Sequence, residues 1–539
     1  MRNFSEELES FIRGRKITVY SLAERSGVDR TLIHKMMKGE RVPAKESVVR
    51  ALASELMLTP EESAELLESY RAAKMGRDVY ARRKAVLDFY NGFPTPPESS
   101  LREESRAPAR VPVEDGTVSG KLEVGNLIGA VLESEAAREK GRVCILAQPE
   151  CPILFDLLPL VGMRRQNLTV DHVICLENSG SEAGHNALYN LGCLGAVMPV
   201  LASGCRYRPR YYYGSADRFG EAGMMPNLIL TGNYLVRISH DASCAAISSF
   251  SPYLELYGRA FDSLSEKSMP LATVFCTPQE EISYISRLYS EFTAVEDDFT
   301  SDPCLLPFAG EEMTRRYTAP ALMKDGRDAR MILEYMDSVH LKNRIRNLGN
   351  VFFSEEGIDR FLSTGRITEV PTGFYSPLEL PDRYRLLRGM FEASLAGKYH
   401  PVLVDARRLR IPESLSTYTF RNGAVCFIYT APGYEYTAFT VSEASTVAAV
   451  RDFMGWLPKS SLVCSSAETL RYLKEKLTVV QGDSSGLIFF RGIFLETKAV
   501  EKQDQQMEDH EERILWKAIG NSRQKHEETL MDTGKTQYP

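Results

Sequence analysis

One short stretch of the sequence brings together side chains that suit a partner rich in negative charge and hydrogen-bond acceptors. Five polar residues recur at the spacing of one continuous helix face: Arg30, Thr31, His34, Lys35 and Lys38. Arg41 follows them in the next loop. Arginine and lysine attract phosphate oxygens, and arginine, threonine and histidine also bond to the edges of bases. The chemistry predicted for this face is binding rather than bond breaking.

Two short helices joined by a glycine turn are predicted to hold this face. Gly27 ends the first helix, since a residue just past a helix often has a positive φ that favours glycine. Asp29 is the predicted N-cap of the second helix, where its carboxylate accepts from backbone N–H groups. Ile33 and Met36 fall on the opposite, apolar side of that helix. The pattern predicts a helix-turn-helix.

The spacing of Ala23, Gly27 and Ile33 resembles that of the phage repressor and Cro family, also called the xenobiotic-response-element family. Three further helices are predicted around the pair: Ser5 to Gly14, Glu46 to Leu56, and one capped by Thr59 with Pro60 at its first position. The resemblance covers residues 4–75. It implies an all-α, five-helix, lambda-repressor-like DNA-binding domain over residues 1–75.

Family membership would give each residue of the basic face a role. Arg30, Thr31, His34 and Lys35 would read bases in the major groove, and Lys38 and Arg41 would hold phosphates. The implied partners are double-stranded operator DNA and a second copy of the chain in a homodimer. The alternative is a solvated charged face without DNA. The segment 11–50 favours DNA because it holds ten Lys/Arg against four Asp/Glu, whereas the whole chain has 65 against 72.

Composition sets limits on the remaining function. A chain of 539 residues predicts three or more domains. The sequence has no apolar run long enough to span a bilayer and no signal-peptide layout, so we expect no membrane partner and a cytoplasmic, bacterial protein. The ten cysteines are scattered singly, which indicates reduced thiols and argues against a zinc site. No cofactor or metal is expected.

The chain beyond residue 75 divides by composition into four segments. Residues 76–118 are predicted as a basic helix, either solvated or in contact with phosphates, followed by a Pro-rich linker. Residues 119–350 read as an α/β sensor domain with a βαβ unit, and residues 351–500 as an α+β domain with three antiparallel strands. Residues 501–539 form a charged tail predicted to lack stable structure. The sequence shows no internal repeat.

The sequence contains one weak match to a catalytic motif. The stretch HLKNRIRN resembles the HxKxxxxD motif of the phospholipase D superfamily, whose histidine is the nucleophile and whose lysine binds phosphate. His340 and Lys342 match that motif, but Asn347 stands at the acidic position and no second copy occurs. The chain is therefore expected not to be an enzyme. The alternative is an enzyme with an appended helix-turn-helix, including a degenerate phospholipase D-like phosphodiesterase.

A row of arginines offers a candidate effector site. In the stretch RYRPRYYY, an extended backbone places Arg206, Arg208 and Arg210 on one side and tyrosines on the other. Three guanidinium groups in a row could clamp a small anionic effector. The alternative is that the tyrosines pack into a core while the arginines pair with surface acids. The sequence as a whole predicts a sequence-specific, DNA-binding transcriptional regulator with a large C-terminal sensing and dimerisation region.

Overall fold

The computed structural model describes most of the chain, and the ranges it describes, apart from gaps of one or two residues, are 3–93, 115–164, 168–178, 183–215, 225–275, 295–333, 349–429 and 437–478. The predicted tail, the HLKNRIRN stretch and the Pro-rich part of the linker lie outside these residues.

Six helices occupy the first described range: α1 (Phe4–Gly14), α2 (Val19–Ser26), α3 (Arg30–Met37), α4 (Glu46–Glu55), α5 (Pro60–Met75) and α6 (Arg77–Asn91). The first five lie where the sequence predicts them. Their apolar faces meet in one core, at which Leu8, Ile33 and Leu52 are fully buried.

The predicted caps explain these boundaries. Gly27 has the left-handed φ of 65° that ends α2. Asp29 caps α3, because its side chain accepts a hydrogen bond from the backbone N–H of Leu32 at 2.9 Å. Thr59 and Glu62 form a reciprocal capping box at the start of α5. Local sequence therefore determines where the N-terminal helices begin and end.

The first sheet is mixed and has eight strands: β1 (Gly116–Ser119), β2 (Arg142–Leu146), β3 (Thr169–Glu177), β4 (Arg206–Gly214), β5 (Asn227–Leu230), β6 (Leu235–Ile238), β7 (Cys244–Ser248) and β8 (Met269–Pro270). The helices described with it are α7 (Lys121–Ala136), α8 (Pro152–Arg164), α9 (Ala183–Leu201) and α10 (Ser251–Lys267). The strands run in the order β1-β7-β6-β5-β2-β3-β4-β8. The predicted βαβ unit is confirmed as β2, α8 and β3, whose strands are parallel.

The second sheet is also mixed and has seven strands: β9 (Ala272–Phe275), β10 (Val295–Phe299), β11 (Asn350–Phe353), β12 (His400–Leu403), β13 (Leu415–Phe420), β14 (Val425–Tyr429) and β15 (Thr437–Val441). The helices described with it are α11 (Glu311–Tyr317), α12 (Pro320–Lys324), α13 (Glu355–Thr364), α14 (Leu380–Leu395), α15 (Ala444–Trp456) and α16 (Ser466–Thr478). The three predicted antiparallel strands are confirmed as β13, β14 and β15.

Strands β1–β7 of the first sheet have the same order as the seven strands of the second sheet, and β8 is an additional edge strand. Read from the β9 edge, the second sheet is β9-β15-β14-β13-β10-β11-β12, which matches β1-β7-β6-β5-β2-β3-β4 strand for strand. The directions match too, since each sheet pairs three parallel strands with an antiparallel meander. The topology is therefore repeated although the sequence shows no repeat, because different apolar residues can satisfy the same burial pattern.

The structure changes the picture of the second half in two respects. The second sheet includes β9 and β10, which precede residue 350, so that residue does not separate the two sheets. The region predicted as α+β contains the parallel strands β11 and β12, which pair with β10 in a mixed sheet.

A single large core joins both sheets. Buried side chains from β2 and β3 belong to the same cluster as buried side chains from β13, β14 and α15. The cluster also contains Tyr90 and Phe93, from the end of α6 and just beyond it. Helix α6 therefore packs in the main body, whereas α1–α5 have a core of their own.

Candidate functional site

Helix α3 is held against the N-terminal core by its apolar side. Ile33 and Met36 are fully buried, and Leu32 and Met37 pack at the margin of the same cluster. The Asp29 cap fixes the first turn. The opposite side of the helix is consequently turned to solvent with a defined orientation.

The six residues predicted to contact DNA are all exposed: Arg30, Thr31, His34, Lys35, Lys38 and Arg41. The first five lie on α3 and its C-cap, and Arg41 lies in the loop that follows. In the part of the chain that the structure describes, none of the cationic side chains on this face has an ion-pair partner. We call these six residues the α3 basic face.

Other arginines of the same domain are paired. Arg13 lies 2.6 Å from Glu9. Arg50 and Arg71 both bind Glu46, at 2.5 and 3.0 Å. Hydrogen bonds from Arg71 and Arg50 outweigh burial and lower the pKa of the Glu46 carboxyl. The absence of acids from the α3 basic face is therefore a local property and not a general feature of the domain.

The arginine row lies on β4, next to the short edge strand β8. Tyr207 and Tyr211 are buried on one side of β4, while Arg206 and Arg208 are exposed on the other. Pro209 faces the edge side, where its carbonyl accepts from the backbone N–H of Leu271 at 3.0 Å. The alternation agrees with the sequence expectation, and the position near an edge is one where proline is tolerated in a sheet.

Two of the three arginines have partners within the fold. Arg208 makes a bidentate contact with Asp171 of β3, at 2.6 and 2.9 Å. Arg142 binds the same carboxylate at 2.7 Å. Arg210 donates to the backbone carbonyl of Ser268. An anion clamp built from all three arginines would require Arg208 to leave Asp171.

His172, beside Asp171 on β3, is fully buried and uncharged. Its Nε2–H donates to the carbonyl of Ala147 at 3.0 Å, because a carbonyl only accepts, and Nδ1 therefore accepts from the Tyr207 hydroxyl at 2.6 Å. Burial lowers the pKa of His172 to about 4. Both ring nitrogens of His172 therefore have their partners within the fold.

Helix α6 is tied to the second sheet and its helices by polar contacts. Arg83 makes a bidentate pair with Asp452 of α15, at 2.8 and 3.0 Å. The buried Tyr90 hydroxyl donates to the Thr417 hydroxyl at 3.0 Å, and burial raises the pKa of Tyr90. Arg82 and Arg83 are therefore held by Asp452, whereas Lys84 pairs with Glu68 of α5 and Arg77 is exposed.

A polar network links α9 and β4 of the first sheet to α15 of the second. The Tyr213 hydroxyl donates to the buried Glu443 carboxylate at 2.8 Å, and the Asn190 amide donates to Ser445 at 2.9 Å. Burial alone would raise the pKa of Glu443, but hydrogen bonds from Thr446, Ser445 and Tyr213 lower it. The network fixes the position of α9, the helix that α6 contacts.

The sequence did not indicate a groove that lies between α6 and α9. Its volume is about 330 Å³, and its lining consists of Ala85, Asp88, Phe89, Gly92, Phe93, Leu188, Leu191, Gly192 and Gly195. We call it the α6–α9 groove. The only sequence signal for it is the pair of glycines one helical turn apart in α9, where a helix would otherwise favour larger residues.

The described ranges contain neither a candidate metal site nor a candidate membrane-spanning helix. No group of three or more His, Cys, Asp or Glu side chains there could hold a metal ion. None of the helices described is both long and apolar enough to cross a membrane.

Comparison with known proteins gives weak structural likenesses. No protein-family model and no curated protein matches the sequence. TrmBL2, an archaeal chromatin protein with a novel mode of DNA binding, matches 47% of this chain and 87% of its own, at 12% identity and a TM-score of 0.19. Phosphatidylserine synthase of Haemophilus influenzae matches 68% of this chain and 93% of its own, at 8% identity and a TM-score of 0.22. These scores do not establish a shared fold, and no family is assigned to the chain.

Proposed function

We propose that the protein is a sequence-specific DNA-binding transcriptional regulator whose α3 basic face enters the major groove. The observation that carries the proposal is the exposure of Arg30, Lys35, Lys38 and Arg41 without acidic partners among the described residues. A cation held in an ion pair has already lost much of its attraction for phosphate, whereas an unpaired one is available to displace counterions from DNA. The chain is acidic overall, which restricts that attraction to this face.

The position of each residue on the face suggests its role. Arg30 and Thr31 lie at the start of α3, and His34 and Lys35 lie one turn later. In a helix that enters the major groove by its N-terminal end, these side chains meet base edges. Lys38 and Arg41 lie at and beyond the C-terminal end of α3, where phosphates are the nearer partners. Arg30 is the best candidate for a bidentate contact with guanine.

The regulator would act as a homodimer in the cytoplasm and would carry out no catalysis of its own. One short recognition helix contacts few base pairs, and a dimer reads two half-sites about 10 base pairs apart, which raises both affinity and specificity. The two-sheet body would then sense a signal and hold the two copies together. The residues resembling a phospholipase D signature lie outside the described ranges and lend no support to an enzyme.

The proposal is tested by selecting bound duplexes from a random library at moderate salt with the full chain. We expect enrichment of a two-fold symmetric sequence. Binding of the enriched duplex is then measured by fluorescence anisotropy for the wild type and for a variant with Arg30→Ala and Lys35→Ala. Arg13→Ala is the matched control, since Arg13 is exposed but paired with Glu9. Failure to enrich any duplex, or equal losses in the variant and the control, would overturn the proposal.

A further inference from the structure

The α6–α9 groove is open because α9 carries glycine where it faces α6. A Cβ added to Gly192 would meet no atom within 4 Å, and one added to Gly195 would make only ordinary contact, at 3.7 Å, with the Phe89 ring. Close approach of the two helices therefore does not require either glycine. Glycine destabilises a helix interior relative to alanine, so these two positions lower helix stability and in return keep a space open.

The lining of the groove is apolar except at one place. Phe89 and Phe93 from the α6 side face Leu188 and Leu191 from α9. Asp88 is the only ionisable residue in the lining. Its nearest cation, the Lys84 ammonium, lies 3.9 Å away and is closer to Glu68, at 3.0 Å. The groove therefore combines aromatic and aliphatic walls with one exposed carboxylate, whose ion pair with Lys84 is long and is shared with Glu68.

We propose that the α6–α9 groove binds a small amphipathic cation, with an aromatic or aliphatic body between the two helices and an ammonium group at Asp88. A volume of about 330 Å³ lies at the lower end of the range found for small-molecule sites. Apolar walls provide most of the binding energy in such sites, and one charged group fixes the orientation of the ligand. Aromatic rings beside the ammonium add attraction through their π faces.

The groove has a regulatory consequence that rests on the proposed function. Helix α6 is joined to α5 of the N-terminal domain by the single residue Gly76, and it forms one wall of the groove. A ligand that prefers one position of α6 over another changes the affinity for DNA by the same factor by which DNA changes the affinity for the ligand. The groove is thus the effector site of the regulator.

Binding is tested first without DNA, so that its result does not depend on the proposed function. The full chain is titrated by calorimetry with 4-phenylbutylamine, and with 4-phenylbutanol and 4-phenylbutyrate as probes of the same shape. We expect the amine to bind at least about tenfold more tightly than the alcohol, and the carboxylate to bind most weakly, because only the amine is attracted to Asp88. Equal affinity for the amine and the alcohol overturns the proposed ligand class.

Two pairs of variants locate the site. Gly192→Leu fills the groove and should abolish amine binding while leaving the melting temperature equal or higher, since leucine favours a helix. Gly129→Leu is its control, at another helical glycine with open space, on α7. Asp88→Asn should remove the preference for amine over alcohol. Asp78→Asn, at an exposed position ten residues earlier on α6, should leave that preference intact.

Two further outcomes would overturn the site. The first is unchanged amine binding by folded Gly192→Leu. The second is equal loss in both glycine variants. A final titration with the selected duplex present separates the two proposals. Amine binding without any effect on DNA affinity would retain the ligand site and overturn its role as the effector site.

Discussion

Helix α3 and strand β4 each present a row of cationic side chains to solvent, but among the described residues only the row on β4 has partners within the fold. On β4, Arg208 forks onto Asp171 and Arg210 is held by a backbone carbonyl. On α3, Arg30 and Lys35 have no ion-pair partner in the described chain. Both rows have the spacing that suggests an anion site. The difference teaches that the surroundings of a cation, which spacing does not reveal, decide whether it is available for a ligand.

The largest effect on stability is expected near the arginine row, at His172. This residue is buried without charge next to Asp171 on β3. Its pKa falls from an unfolded value near 6.5 to about 4 in the folded protein. As the pH falls, the unfolded chain therefore binds the proton before the folded protein does. The contribution of neutral His172 to the free energy of unfolding is fully present above pH 6.5 and is lost as the pH falls from 6.5 through 4. The loss should amount to about 3 kcal/mol.

Denaturation by urea at a series of pH values measures that loss. The variant His172→Gln retains a donor and an acceptor but does not titrate, so its stability should fall by about 3 kcal/mol less than that of the wild type between pH 6.5 and 4. His240→Gln is the control at an exposed position. The same pH dependence in wild type and His172→Gln would show that His172 does not drive it.

The second prediction concerns Asp171, the carboxylate on β3 that binds Arg208 of β4. Asp171→Ala should lower the free energy of unfolding by about 2 kcal/mol, which is less than for a fully buried pair because Arg208 and Arg142 are half-exposed. Affinity for the selected duplex should not change in the folded protein. Arg206→Gln is the matched control, and it should cost less than about 0.5 kcal/mol. A large loss of stability in Arg206→Gln would show that Arg206 has a partner within the fold.

The third prediction addresses the free side of the comparison. Arg30→Ala should weaken binding to the selected duplex by about 1–3 kcal/mol and relax the preference at one base pair. Its melting temperature should equal that of the wild type, since no contact within the fold is lost. Anisotropy with a set of single-base variants of the duplex measures both effects. A drop in stability comparable to that of Asp171→Ala would show that Arg30, like Arg208, has a partner within the fold.

The smallest effect is expected at Lys38. Lys38→Ala should weaken binding to all duplexes alike and should reduce the slope of log affinity against log salt by about 1. The measurement is a salt titration of the selected and a scrambled duplex. A loss restricted to the selected duplex would assign Lys38 to base reading instead.

The N-terminal helices could be predicted closely because their ends depend on neighbouring residues. Asp29 caps the helix that it precedes, and Thr59 and Glu62 satisfy each other across three residues. Gly27 has a positive φ for reasons contained in its own turn. Such interactions are visible in sequence spacing, so the location of the α3 basic face could be predicted together with its exposure.

The body was less predictable because its decisive contacts join distant residues. The basic sequence of α6 suggested a solvated or DNA-contacting helix, yet Arg83 binds Asp452 and Tyr90 reaches Thr417. The partner of Arg208 lies on a neighbouring strand, 37 residues away. Likewise, β9 and β10 could not be assigned to the second sheet from local pattern, since register and strand order are settled by packing.

The path from the body to the α3 basic face ends in a lever. Helix α6 has 15 residues and is therefore about 22 Å long at about 1.5 Å per residue. Its C-terminal half is fixed to the second-sheet region by Arg83 and Tyr90, and its N-terminal end meets α5 at Gly76. The part from Gly76 to Arg83 spans about 10 Å, so a tilt of about 20° around Arg83 moves the Gly76 end by about 3.5 Å, which matches the spacing of about 3.4 Å between successive base pairs. On the proposed function, such a tilt is enough to shift α3 by one base pair along the DNA.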